Sequence, residues 1–143
     1  MRHKGTRLTS FPPAGRTRYH VQEEYDDKGI LRVRERLLDG LPHSPNNETP
    51  AYEKFDEQGR LVAQIWMKDG REHREDSPST IHRSPKTGVV HTLYFMKFGE
   101  PRPAREGPHT ISFDKQTGQQ IDEVYSDAAD PCSQSRPTTL KPF

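Results

Sequence analysis

Histidine, cysteine, paired carboxylates and clustered arginines are the residues of this 143-residue chain that could do chemistry, and their spacing decides which chemistry is open. Of seven histidines, His43 and His73 each stand three residues past a glycine, Gly40 and Gly70. Recurrence at one repeat position tracks the fold rather than a single site, so these two are expected to stabilise turns. His82, His91 and His109 fall in or beside expected strands and could approach one another. No H-x-x-x-H pair or Cys/His cluster has ligand spacing, so no metal is expected. Cys132 is the single cysteine, which forbids an intramolecular disulfide and fits a reducing compartment. It lies in a Pro/Ser-rich tail, where a mobile backbone cannot hold a nucleophile against a base and an oxyanion donor. The serines stand mostly beside prolines, without G-x-S-x-G or a phosphate-cradling glycine loop. Glu23-Glu24 and Asp26-Asp27 fall at an expected turn and read as solvated charge. The expectation is a non-enzymatic chain that needs no cofactor.

Arginine offers a second kind of chemistry. Arg2, Lys4, Arg7, Arg16 and Arg18 fall in the first twenty residues with no Asp or Glu among them, and Pro12, Pro13 and Gly15 interrupt regular structure there. Residues 1–18 therefore read as a flexible basic arm able to contact phosphates. Arg32, Arg34 and Arg36 alternate along one strand and so project to one face. Against this, the whole chain carries a formal charge of only +1, which leaves no general basic excess for nucleic acid or acidic membranes. No apolar run reaches signal-peptide or membrane-span length, so the expected location is cytoplasmic, or the host cytoplasm for a phage-encoded chain.

The elements that must position these residues come from an internal repeat. Gly29, Gly59, Gly88 and Gly118 are 30, 29 and 30 residues apart, and eleven residues after each stand Gly40, Gly70, Gly99 and Ala129. Arg36, Trp66, Phe95 and Tyr125 occupy one position, and Pro50, Pro78, Pro108 and Pro137 close the units. Each unit reads as a hairpin: a short strand (Ala51 to Phe55, His109 to Phe113), a polar turn ending in glycine, then a second strand such as Leu61 to Met67. Leu31 to Leu38 aligns with that second strand, and Val89 to Phe98, the most apolar stretch, is expected at the centre of the core. Trp66, Phe95 and Tyr125 are either core anchors or an exposed binding strip. Such hairpins cannot bury an apolar face alone, so successive units must continue one sheet. With 29% hydrophobic residues and balanced charge, the product should be thin and polar but folded.

Tyr52-Glu53-Lys54-Phe55-Asp56-Glu57-Gln58-Gly59, followed by Trp66-Met67-Lys68-Asp69-Gly70-Arg71-Glu72-His73-Arg74 and Pro78, resembles the short bacterial and phage variant of the MORN repeat, W-x-x-x-G-x-x-H-R-x-x-G-P. Arg105-Glu106-Gly107-Pro108 and Asp39-Gly40-Leu41-Pro42-His43 carry parts of the same pattern. The resemblance implies a non-catalytic platform for protein contacts, and among phage and bacterial members a small accessory protein.

The resulting expectation is an all-β chain of about four hairpins forming an elongated, twisted antiparallel sheet, with the arm at 1–18, the repeats at 19–129 and a flexible tail at 130–143. Its expected function is to bind a bacterial host protein or complex. By family context, this would be inhibition of a defence complex by surface occlusion, as an anti-CRISPR protein does. Trp66, Arg32, Arg34, Arg36, Arg71 and Arg74 are the expected partner contacts. The alternative is nucleic-acid binding by Arg2, Lys4, Arg7, Arg16 and Arg18 with the Arg32, Arg34, Arg36 face. A membrane-surface role is disfavoured by net charge, and an exposed sheet edge allows a dimer.

Overall fold

The computed structural model describes residues 18–126 and, as backbone alone, residues 5–10. Its strands are β1 (Gly5–Ser10), β2 (Tyr19–Tyr25), β3 (Leu31–Leu38), β4 (Leu41–Pro42), β5 (Tyr52–Phe55), β6 (Leu61–Ile65), β7 (Met67–Lys68), β8 (Arg71–Glu72), β9 (Thr80–Arg83), β10 (Val90–Tyr94), β11 (Met96–Lys97), β12 (Glu100–Pro101), β13 (Thr110–Phe113) and β14 (Gln120–Val124). The main sheet runs β1-β2-β3-β5-β6-β9-β10-β13-β14, antiparallel at every pairing and not closed on itself, with β4 paired to β3. Successive hairpins thus lie side by side in chain order, as the repeat requires. Gly5–Ser10, expected within a flexible arm, instead forms an edge strand on β2. Residues 1–4, 11–17 and 127–143, with most of the arm, the tail and Cys132, lie outside the described residues.

The D-x-x-G turns close the long hairpins by side-chain capping. Asp26 Oδ1 accepts the N–H groups of Lys28 and Ile30, and Asp56 Oδ1 those of Gln58 and Arg60. These bonds, foremost from Ile30 and Arg60, hold both carboxyls below their ordinary range. In the third and fourth units the turn is one residue longer, Ser84 to Gly88 and Asp114 to Gly118, closed by Gly88 N–H to Ser84 O and Gly118 N–H to Asp114 O.

In the second and third units the second strand breaks and restarts, so that Trp66 and Phe95 stand between strands, whereas β3 runs unbroken through Arg36. Their N–H groups donate to Ser79 O and His109 O in the next unit, as Arg36 N–H does to Ala51 O. These crossings gather the core: Leu37, Ala51, Ala63, Trp66 and Ala104 are the buried apolar side chains, with Ser79 fully buried beside them. Val89 to Phe98 does not form the core centre. Its residues up to Lys97 are half-buried and Phe98 is exposed. The reason is architectural: one open sheet layer leaves both faces of a strand reachable, so among the described residues the buried positions are mostly small ones, joined by Leu37, Trp66, Glu23 and His73.

Candidate functional site

Three short hairpins, β3–β4 within the main sheet and β7–β8 and β11–β12 as separate two-stranded ribbons, turn at Asp39-Gly40, Asp69-Gly70 and Phe98-Gly99. The first residue of each has φ of 51°, 50° and 48°, followed by glycine at 85°, 84° and 83°. Positive φ at both positions is the signature of a type I′ turn, whose twist suits a two-residue hairpin. Aspartate tolerates the left-handed region, whereas for a bulky side chain it is a true outlier. Phe98 therefore takes a strained conformation where the two preceding units use Asp, and the residue is 44% exposed.

The turns stack as a row. Gly70 N–H donates to Pro42 O and Gly99 N–H to Glu72 O, while Leu41 and Arg71 lie against the open faces of Gly70 and Gly99. His43 Nδ1 accepts the Asp69 N–H at 3.2 Å, and His73 Nδ1 accepts the Phe98 N–H at 3.1 Å. The recurrent histidines thus hold the turn of the following repeat. Because Nδ1 of His73 accepts, its Nε2 carries the proton and donates to Glu75 Oε2 at 2.8 Å. The His73 ring then stacks on Phe98 with centroids 4.0 Å apart, and Arg71 and Lys68 place their cations 5.6 Å and 6.0 Å from the Phe98 centroid. The outcome is an exposed aromatic fixed in place and flanked by positive charge.

Arginines behind the turns form a second recurrent device. Arg74 lies 3.7 Å over the Trp66 ring and donates to Asn47 O and Pro78 O. Arg102 lies 3.8 Å over Phe95 and donates to Pro108 O. Arg36, which itself fills the aromatic position in the first unit, donates to Pro50 O. The unit-closing prolines are therefore carbonyl clasps for a guanidinium. In the third unit a Cβ on Gly107, which has φ 121°, would lie 2.6 Å from Arg102 Nη2. The glycine of R-E-G-P leaves room for the stacked arginine.

Of the residues expected to meet a partner, Trp66 is 3% exposed and covered by Arg74, so its ring is a packing element. Phe95 is half-buried and Tyr125 is 44% exposed, a gradient along one repeat position. Arg32, Arg34 and Arg36 do share a face, but their charges are answered there: Arg34 pairs with Glu23 and Glu53, Arg36 with Glu53, and Arg32 with Asp26 at 3.8 Å. Arg71 is exposed at the turn row and Arg74 lines a groove beside it. Arg18 is exposed, with its backbone N–H donating to Asp39, and Arg7 stands opposite Glu23 in the β1–β2 register. Arg2, Lys4 and Arg16 lie outside the described residues.

His82 and His91 come together on β9 and β10 with ring centroids 5.9 Å apart, beside Tyr94. Burial, then nearby positive charge, holds both imidazoles below the ordinary histidine range, despite Glu72 beside His82. His109 instead bonds its neighbour Thr110. Among the described residues no group of His, Cys, Asp or Glu is arranged to hold a metal ion, and no helix is long and apolar enough to cross a membrane.

Sequence reasoning missed Phe98 and Arg102. Phe98 was legible as the one departure from Asp-Gly in three aligned turns. Arg102 was hidden because it stands at the position of His43 and His73 while doing the work of Arg74, one residue later in the second unit. Comparison with protein-family models, curated proteins and solved structures yields no match.

Proposed function

We propose that this chain is a non-enzymatic protein-binding module built of MORN-like hairpin repeats, and that the row of short turns is its contact surface. The observation that carries this reading is Phe98: a bulky ring held at φ 48°, exposed, and braced by His73 between Arg71 and Lys68. Holding such a residue in the left-handed region costs about 1–3 kcal/mol, and strain of this kind gathers at binding sites. An exposed, pre-ordered aromatic beside arginine also has the composition of an interface hot spot. Leu41, 49% exposed on the same row, extends the apolar contact.

The partner class drawn from the repeat resemblance is a bacterial host protein or complex, with occlusion of a defence complex as its specific form. Nucleic-acid binding through the Arg32, Arg34, Arg36 face is the weaker reading, since those guanidiniums are engaged by Glu23, Glu53 and Asp26. The test is affinity capture by the full chain from nuclease-treated bacterial lysate at low and high salt, followed by mass spectrometry. A protein or complex retained at both salts is the expected result. Retention only at low salt and only without nuclease would overturn it in favour of nucleic acid.

A further inference from the structure

Arg74 and Arg102 line one open groove of about 410 Å³ between the second and third units, together with Asp76, Ser77, Phe95, Met96, Lys97 and Glu106. We propose that this groove receives an acidic segment of the partner protein, with an Asp or Glu carboxylate seated against the guanidiniums of Arg74 and Arg102. The proposal rests on the binding-module reading and adds the chemistry of what is bound.

Charge complementarity carries it. Three cations face two carboxylates in the groove, and Glu106 is already engaged by Lys97 at 3.3 Å. Among the described residues neither Arg74 nor Arg102 makes an ion pair, although Arg32, Arg34, Arg36 and Arg60 all do. Both are instead fixed by aromatic stacking and by backbone carbonyls, using Nε and Nη1 of Arg74 and Nε of Arg102. Neutral carbonyls satisfy hydrogen bonds without cancelling charge, and the remaining N–H groups of a planar, pre-ordered fork match a carboxylate. Arg34 gives the contrast within the same molecule. Two glutamates raise its pKa despite burial, while burial lowers those of Arg74 and Arg102 against the opposing pull of Glu48 on the first and Glu106 on the second. Glu48 and Glu106 act on these arginines without an ion-pair contact, so an acidic side chain seated on the forks supplies a direct counter-charge, and Phe95 and Met96 offer apolar contact to its stem.

The experiment is titration of the isotopically labelled full chain with acetylated hexaglutamate, following the arginine Nε–H signals, with hexaglutamine and oligothymidylate as comparison ligands. Hexaglutamate should shift the Arg74 and Arg102 signals and hexaglutamine should not. Arg102→Lys, which keeps the charge but loses the fork, should weaken binding about ten-fold, and Lys97→Gln about three-fold. Arg60→Gln, the same charge loss at a distant turn, should leave affinity unchanged. If Arg102→Lys does not fold, Lys97→Gln against Arg60→Gln decides. The proposal is overturned if hexaglutamate moves neither arginine signal, if Arg60→Gln weakens binding as much as Lys97→Gln, or if oligothymidylate binds as tightly. Failure here with lysate capture intact removes only the groove assignment. Hexaglutamate binding without any captured partner removes the module reading instead.

Discussion

Replacing Gly107 by alanine tests whether the R-E-G-P sequence exists to seat a stacked arginine. Gly107 has φ 121° and ψ −177°, a region almost confined to glycine, and forcing alanine into it costs about 1–3 kcal/mol. The added Cβ would lie 2.6 Å from Arg102 Nη2, but the guanidinium ends a flexible chain and would swing away rather than clash. Its departure breaks the 2.8 Å bond to Pro108 O, worth about 1.5 kcal/mol for a charged donor at a partly exposed site, and the contact with Phe95, worth about 0.5–1 kcal/mol. The expected loss is about 3–5 kcal/mol, a large share of the stability of a domain of this size. Urea unfolding followed by circular dichroism measures it. A double-mutant cycle separates the parts: with Arg102→Ala already present, Gly107→Ala should cost only the backbone share. A loss below about 1 kcal/mol, or an equal loss in both backgrounds, would refute the assignment.

Three further outcomes follow from the same structure. Trp66→Phe should be tolerated within about 1–2 kcal/mol, because Phe95 fills the equivalent position and the buried Trp66 Nε1 finds no acceptor among the described residues, whereas Trp66→Ala should cost about 3–5 kcal/mol in the same urea assay. Glu35 is pushed above the ordinary carboxylate range by burial and by Glu24, so its ionised form opposes folding; Glu35→Gln should raise the urea midpoint at pH 7, with the advantage shrinking as pH falls and Glu35 protonates. His82 and His91 are bases held low, by burial first, so their stability is present above the ordinary value of about 6.5 and is lost as pH falls through their folded values. The midpoint should therefore decline between neutrality and pH 5, and a His82→Gln, His91→Gln double variant with an unchanged slope would contradict the sign.

The hairpin architecture was legible because its determinants are local and repeated. Asp and Gly at fixed spacing dictate capped turns, and Leu31 to Leu38 could be placed as a strand by register alone, where β3 lies. What was not legible depends on contacts between units. That Glu23 and Asp26 offset the arginine ladder could be read from their nearness in the chain, but Glu53, which pairs with both Arg34 and Arg36, comes from the next unit. Composition pointed to Val89 to Phe98 as the core, but in one open layer burial follows the crossings between units, which favour Ala51, Ser79 and Trp66. Phe98 read as one more apolar residue of that stretch. Only the turn geometry reveals it as an exposed ring in a position suited to Asp.

Phe98→Asn tests the central claim most directly. Asn accepts the left-handed turn without the strain of a bulky ring, a relief of about 1 kcal/mol that offsets the lost contacts with His73 and Arg71. The measurement is the affinity of the captured partner for wild type and Phe98→Asn, with urea stability recorded for both. The account predicts stability within about 1 kcal/mol of wild type and binding weakened about thirty-fold or more, the scale of a hot-spot residue. Unchanged affinity in the equally stable variant would contradict it.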